Sequence, residues 1–148
     1  MIALDTNLLV YAETISDLQG RHLRMRALLD PLSSGDSIIP LTVLGEFLNV
    51  CRKKKVLAAE AAARRVEQYS QFFLTPPTTN ADLVAAALLA DSRNLQFFDA
   101  LIVTVAARAG ATVLLTEDLQ DGLQLEGLQI VNPFDPENAD AIDRFLTN

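Results

Sequence analysis

Short apolar runs alternate with longer stretches of helical periodicity along this chain, and the first run sets the frame. Ile2-Ala3-Leu4 leads straight into Asp5-Thr6-Asn7, and a fresh apolar run, Leu8-Leu9-Val10-Tyr11, follows. A run of that length bounded by polar residues suits a strand buried on both faces, as in a parallel sheet under helices. Asp5 then sits at the carboxyl end of the strand, the edge where open α/β sheets take ligands. On this stretch alone, capping of the following helix by Asp5 or Thr6 is the plainer explanation.

The rest of the pattern repeats the alternation. Gly20 to Leu32 reads as a helix with Leu23, Ala27 and Leu28 on its apolar side, and Ser33-Ser34-Gly35-Asp36 is turn material. Ser37-Ile38-Ile39-Pro40 is a short strand stopped by proline. A helix from Leu41 to about Lys55 carries Val43, Leu44, Phe47, Leu48, Val50 and Cys51 on a wide apolar face. Ala58 to Phe73 forms another, broken at Leu74-Thr75-Pro76-Pro77, which fits a brief edge segment. Asn80 to Ser92 restarts the helical pattern, with Asn80 as N-cap and Leu83, Ala87 and Leu88 as the buried side. Phe97-Phe98-Asp99 introduces a helix from Ala100 to Ala109, closed by Gly110. Ala111 to Leu115 and Leu128 to Val131 are strands, and Asp135 to Leu146 a terminal helix docked by Ile142, Phe145 and Leu146. Strands alternating with helices predict an α/β fold, a mostly parallel central sheet flanked by helices in three layers.

Composition narrows the class. Half of the 148 residues are hydrophobic and 21% are charged, which is globular and suits a single domain over 1–148. No apolar run approaches the roughly 18 residues of a membrane span. The N-terminus lacks the basic flank of a signal peptide, and the expectation is a cytoplasmic protein without membrane association. A lone cysteine, Cys51, excludes an internal disulfide and falls in an apolar pattern that suits a buried thiol. The net charge of −7 argues against simple electrostatic adhesion to nucleic acid. Its distribution says more: residues 1–79 hold nine of the twelve Lys and Arg, residues 80–148 eleven of the nineteen acids. Arg52-Lys53-Lys54-Lys55 with Arg64-Arg65 make a basic patch, and Arg21, Arg24 and Arg26 precede it. A helix C-terminus complementing its dipole explains this patch as well as a phosphate-contacting surface does.

Two strands, Ile2 to Leu4 and Thr112 to Leu115, both run into carboxylates, the second through Thr116-Glu117-Asp118. In a parallel sheet their carboxyl ends share one edge, and adjacent strands lie about 4.8 Å apart. Asp5 and Asp118 thus come within reach of one ion. Asp99 starts on the same edge, and Glu46, on the helix springing from the second strand, is placed to face it. Each acid alone has a plain explanation as cap, turn or solvated surface. Together they repel one another unless a cation intervenes. Carboxylates with no thiolate and almost no histidine point to Mg²⁺ or Mn²⁺ rather than zinc. His22, the one histidine, has no metal-ligand partners and reads as surface.

The opening Asp5-Thr6-Asn7-Leu-Leu-Val-Tyr-Ala, the Glu46 helix, Phe98-Asp99-Ala100-Leu101-Ile102, Thr116-Glu117-Asp118-Leu119 and Ile130-Val131-Asn132-Pro133-Phe134 together resemble a PIN domain. More narrowly they resemble a VapC-type toxin of a bacterial type II toxin–antitoxin pair, over essentially the whole chain. The resemblance implies a metal-dependent endoribonuclease, with Asp5, Glu46, Asp99 and Asp118 in the four acidic places. Asn7 and Thr116 match supporting polar positions, and Asp121 a fifth acid. Phe98 stands where such proteins often carry tryptophan. The implied partners are an RNA substrate, a cognate antitoxin whose C-terminal segment offers an Arg to the carboxylates, and a second copy of the chain. The helices between Ala58 and Ala90 are candidate contact surfaces, with intramolecular core the better reading for most of their residues. A rival from another class is a catalytically idle PIN-like module that binds RNA or protein. A dehalogenase-like phosphatase is a third, but Asp5-Thr6-Asn7 lacks its second aspartate.

Overall fold

The computed structural model describes residues 1–147. Five strands form one sheet: β1 (Ile2–Leu4), β2 (Ser37–Ile38), β3 (Val113–Leu115), β4 (Gln124–Leu125) and β5 (Leu128–Val131). Their order is β2-β1-β3-β5-β4. The first four in that order run parallel, and β4 pairs antiparallel with β5. Every residue of β1 and β3 is buried, so both faces of the sheet are covered, as their unbroken apolar runs require. The covering helices are α1 (Thr6–Glu13), α2 (Arg21–Ser34), α3 (Leu41–Lys54), α4 (Ala59–Phe72), α5 (Asn80–Arg93), α6 (Phe97–Arg108) and α7 (Ala139–Thr147). α1 packs on α2 and α3, α3 on α4, and α5 on α6. The predicted mostly parallel α/β sheet between helices is the architecture found. Among the described residues no helix is long and apolar enough to cross a membrane.

Leu74 bridges Ile38 in parallel, which is the edge segment expected at the proline break. The β4–β5 hairpin was not anticipated. Its turn is Glu126-Gly127, both at positive φ (50° and 84°), a mirror-image two-residue turn in which glycine supplies most of the freedom. Asn80 is not the N-cap of α5. Thr79 is: its hydroxyl accepts from the Asp82 N–H, and Asp82 returns a bond to the Thr79 N–H at 2.7 Å, a reciprocal cap.

Two predicted helix faces are rotated. On α2, Leu28 is buried but Leu23 and Ala27 are exposed. The inward stripe is Met25, Leu28, Leu29 and Leu32, spaced i, i+3, i+4, i+7 and unbroken by any polar residue. On α5 the inward residues are Asp82, Ala86 and Leu89, while Leu83, Ala87 and Leu88 face out. Asp82 decides this. Its carboxylate is fixed by the cap and by Arg108 Nε of α6 at 2.7 Å, so an acid takes the place expected for leucine.

Candidate active site

The sheet edge builds the site from the backbone outward. Asp5 N–H donates to the Leu115 carbonyl at 3.1 Å, and Thr116 N–H to the Val131 carbonyl at 3.1 Å, extending the ladder past the strand ends. Asp5 and Thr116 therefore leave adjacent strands at the same level. Thr116 Oγ1 donates to Asp5 Oδ2 at 2.6 Å, and Asp5 Oδ1 accepts the Thr6 N–H at 2.6 Å. Asp5 is thus both the N-cap of α1 and a member of the acid group; the two explanations do not compete. The same Thr116 hydroxyl accepts the Asp118 N–H at 3.0 Å, folding the chain so that Asp118 returns to the edge. Thr6 Oγ1 donates to Glu46 Oε2 at 2.7 Å, tying the α3 acid to the β1 edge.

Asp5, Glu46, Asp99 and Asp118 line one cavity of about 340 Å³, together with Thr6, Asn7, Tyr11, Asn49, Lys54 and Glu117. Asp99 is not an N-cap; Gln96 holds that place and Asp99 lies in the first turn of α6. The electrostatics follow from burial. Asp5, 5% exposed, has its pKa raised to about 6 by desolvation, with Asp118 and Asp99 adding repulsion and the Thr116 and Thr6 bonds opposing it. Asp99 is likewise raised to about 6 by desolvation, then by Asp118 and Glu46. Asp118 is raised by burial and by Glu117, and lowered by the Asn7 side chain and Lys54. Four carboxylates from four stretches of chain thus share one electrostatic environment.

Among the described residues no three acidic, His or Cys side chains stand close enough to enclose one ion directly. The donor set still fits a hard divalent ion that keeps several of its waters, as Mg²⁺ does. All four acids offer oxygen, Asp5 and Asp99 are raised first by burial and then by neighbouring carboxylates, and both polar atoms of the Asn7 side chain are buried without a well-formed hydrogen bond. A buried amide left unpaired in this way is costly unless a ligand or water satisfies it.

Thr6, Tyr11, Asn49 and Glu117, which sequence reasoning did not place in the site, are polar residues of the wall. Tyr11 donates its hydroxyl to Glu117, and Arg21 Nη2 pairs with Glu117 at 3.1 Å while stacking 5.0 Å from the Tyr11 ring centroid. Burial and Glu117 push the Tyr11 pKa up to about 12, so it remains a donor. Thr6 was visible as the hydroxyl between Asp5 and Asn7, and Glu117 as the acid before Asp118; Tyr11 lies one helical turn beyond Asn7.

Several expected residues lie elsewhere. Asp121 is exposed and outside the cavity; its carboxylate accepts from Asn132 N–H at 2.7 Å and Asn138 Nδ2 at 2.9 Å, a structural clasp near the C-terminus. The basic patch divides. Lys54 reaches the acidic cavity and Arg52, Lys53 and Lys55 are exposed, but Arg65 Nε is paired with Glu13 at 2.7 Å and Arg64 with Glu60. Arg65 is a tie between α4 and α1 because Glu13 is buried there and needs a cation. Arg21 and Arg24 also turn inward, to Glu117 and to the Pro133 carbonyl.

The PIN domain family profile matches residues 2–120, which takes in all four acids. This chain belongs to the PIN-domain family. PIN domains are generally nucleases. A comparison with curated proteins found no match. Among solved structures, this PIN domain is similar to FitAcB from Neisseria gonorrhoeae, with a TM-score of 0.61 and 18% identity over 91% of this chain and 99% of that one. It is similar also to FitAB bound to an IR36 DNA fragment, with a TM-score of 0.60 and 19% identity over 90% of this chain and 96% of that one. At such identities the likeness concerns the fold.

Proposed function

We propose that this protein is a single-domain, Mg²⁺- or Mn²⁺-dependent endoribonuclease of the VapC type, the toxin of a toxin–antitoxin pair. The observation that carries the reading is the convergence of Asp5, Glu46, Asp99 and Asp118 on one cavity at the carboxyl edge of the sheet. Asp5 and Asp99 would be the main ligands, with Glu46, Asp118 and the Asn7 amide completing the set directly or through water. A divalent ion bound there lowers the pKa of a water and offsets negative charge developing on a phosphodiester.

The chain's own residues supply the rest. Thr116 and the Thr6 N–H hold both oxygens of Asp5, so its orientation is set before substrate arrives. The Thr6 hydroxyl does the same for Glu46. Lys54, the one cation among the described residues lining the cavity, would meet a phosphate of the strand. No side-chain nucleophile is required, which suits a site without Ser–His or Cys–His pairs.

An idle binding module is the weaker reading. A site with no ion to hold gains nothing from carboxylates whose pKa values are forced upward. Cleavage of single-stranded RNA with and without EDTA, in the wild type and in Asp5→Asn, decides between them. Metal-dependent cutting abolished by the substitution supports the nuclease, and full activity in Asp5→Asn refutes the site.

The partners follow from the same reading. An antitoxin segment bearing an Arg suits a cavity lined by these acids, and the FitAB structure on DNA, to which this fold is similar, supports a DNA-binding partner. A second copy of the chain suits α5, where Val84 and Leu88 are 64% and 69% exposed. A cytoplasmic location accompanies this function.

A further inference from the structure

The C-terminal half of α3 and its C-cap Lys55 divide between two cavities. Asn49 and Lys54 line the acidic one, while Leu48, Arg52 and Lys55 line a second of about 440 Å³. Lys55 closes the helix in the left-handed region (φ 53°). The second cavity is walled by Leu57, Ala58, Ala59 and Ala62, so its lining is aliphatic apart from the two cations. Among the described residues, Arg52, Lys53 and Lys55 make no ion pair and no side-chain hydrogen bond. Arg21, Arg64, Arg65 and Arg108 are paired, whereas these three share one stretch of chain at the end of α3, two of them beside the same groove. The α3 dipole accounts for cations near its end, but not for an apolar groove between them.

We propose that this groove is a flanking-nucleotide subsite for single-stranded RNA. The base next to the cleavage point lies on Leu48, Leu57 and Ala59; Arg52 and Lys55 take the phosphates on either side of it, and Lys54 takes the phosphate at the acidic cavity. The inference rests on the nuclease reading and adds to it a second contact zone. A cationic rim around an apolar floor is the arrangement that holds single strands without reading their sequence. A peptide would leave the two cations unmatched unless it were acidic.

The test uses the full chain with Asp5→Asn, which binds without cutting, titrated with a labelled dinucleotide and a labelled decamer over a salt series. Replacing Arg52 and Lys55 together by Ala weakens the decamer about tenfold and lowers the slope of log affinity against log salt by about 1.4, two single-strand phosphate contacts. The dinucleotide is unaffected. Ala59→Trp, which fills the groove from an exposed position, weakens the decamer without changing the slope. If either variant leaves the decamer untouched, or weakens both lengths alike, the subsite is overturned, and an acidic peptide becomes the occupant to seek. Cleavage by the wild type is measured alongside: a wild type that cuts RNA with silent variants removes the subsite alone, whereas one that cuts none removes the nuclease reading and the subsite with it.

Discussion

Thr116 Oγ1 stands 2.6 Å from Asp5 Oδ2 and 3.0 Å from the Asp118 backbone nitrogen, so one buried hydroxyl orients the first acid and anchors the segment bearing the last. Thr116→Val keeps the shape and removes both bonds. Loss of an orienting partner of this kind typically costs 10–100-fold in metal affinity or activity. Single-turnover cleavage against Mn²⁺ concentration should show a loss of about that size, with Thr116→Ser recovering most of it. Equal losses in both variants would mean that packing, not the hydroxyl, matters.

The raised acids give the metal-free protein a pH dependence opposite to that of an ordinary salt-bridged carboxylate. A carboxyl whose folded pKa lies above its unfolded value stabilises the fold at low pH; the contribution is complete below about 4 and is lost as pH rises through about 6. For Asp5 the raise from 3.8 to about 6 corresponds to about 3 kcal/mol. In EDTA, the Tm of the wild type relative to Asp5→Asn should therefore fall between pH 4 and pH 6.5. Mn²⁺ at pH 7.5 should restore it in the wild type only.

Arg108 holds Asp82 at 2.7 Å and also donates to the Pro77 carbonyl. Arg108→Met leaves a buried carboxylate with only its cap partners, and urea unfolding should show a loss of about 1–3 kcal/mol. Cleavage per folded molecule should be unchanged, because neither residue lines the acidic cavity.

β1, β3 and the acids that follow them were legible because both signals are local. Ile2–Leu4 and Val113–Leu115 are unbroken apolar runs that end in polar residues, and parallel pairing then brings Asp5 and Thr116 to one edge without further information. The helix faces were harder to read. Whether Leu83 or Asp82 turns inward depends on Arg108, twenty-six residues away, and apolar periodicity carries no trace of that pair. The division of the cations is of the same kind: Arg65 is claimed by Glu13 across 52 residues, whereas among the described residues Arg52 and Lys55 have no ion-pair partner. Asp121 was expected as a fifth acid from the family resemblance, and its bonds to Asn132 and Asn138 hold it outside the cavity.

Homodimerisation through α5 makes a separate prediction. Val84 and Leu88 lie one turn apart on the outward face, so Val84→Glu with Leu88→Glu should leave the fold intact and convert a dimer to a monomer in sedimentation velocity. An unchanged sedimentation coefficient would place the contact elsewhere.

The central claim is that the four acids form one hard-cation site, and calorimetric titration with Mn²⁺ at pH 7.5 tests it most directly. The wild type should bind saturably, Asp5→Asn and Asp99→Asn should lose binding while remaining folded, and Asp121→Asn should bind as the wild type does. Equal binding by all four proteins would contradict the account.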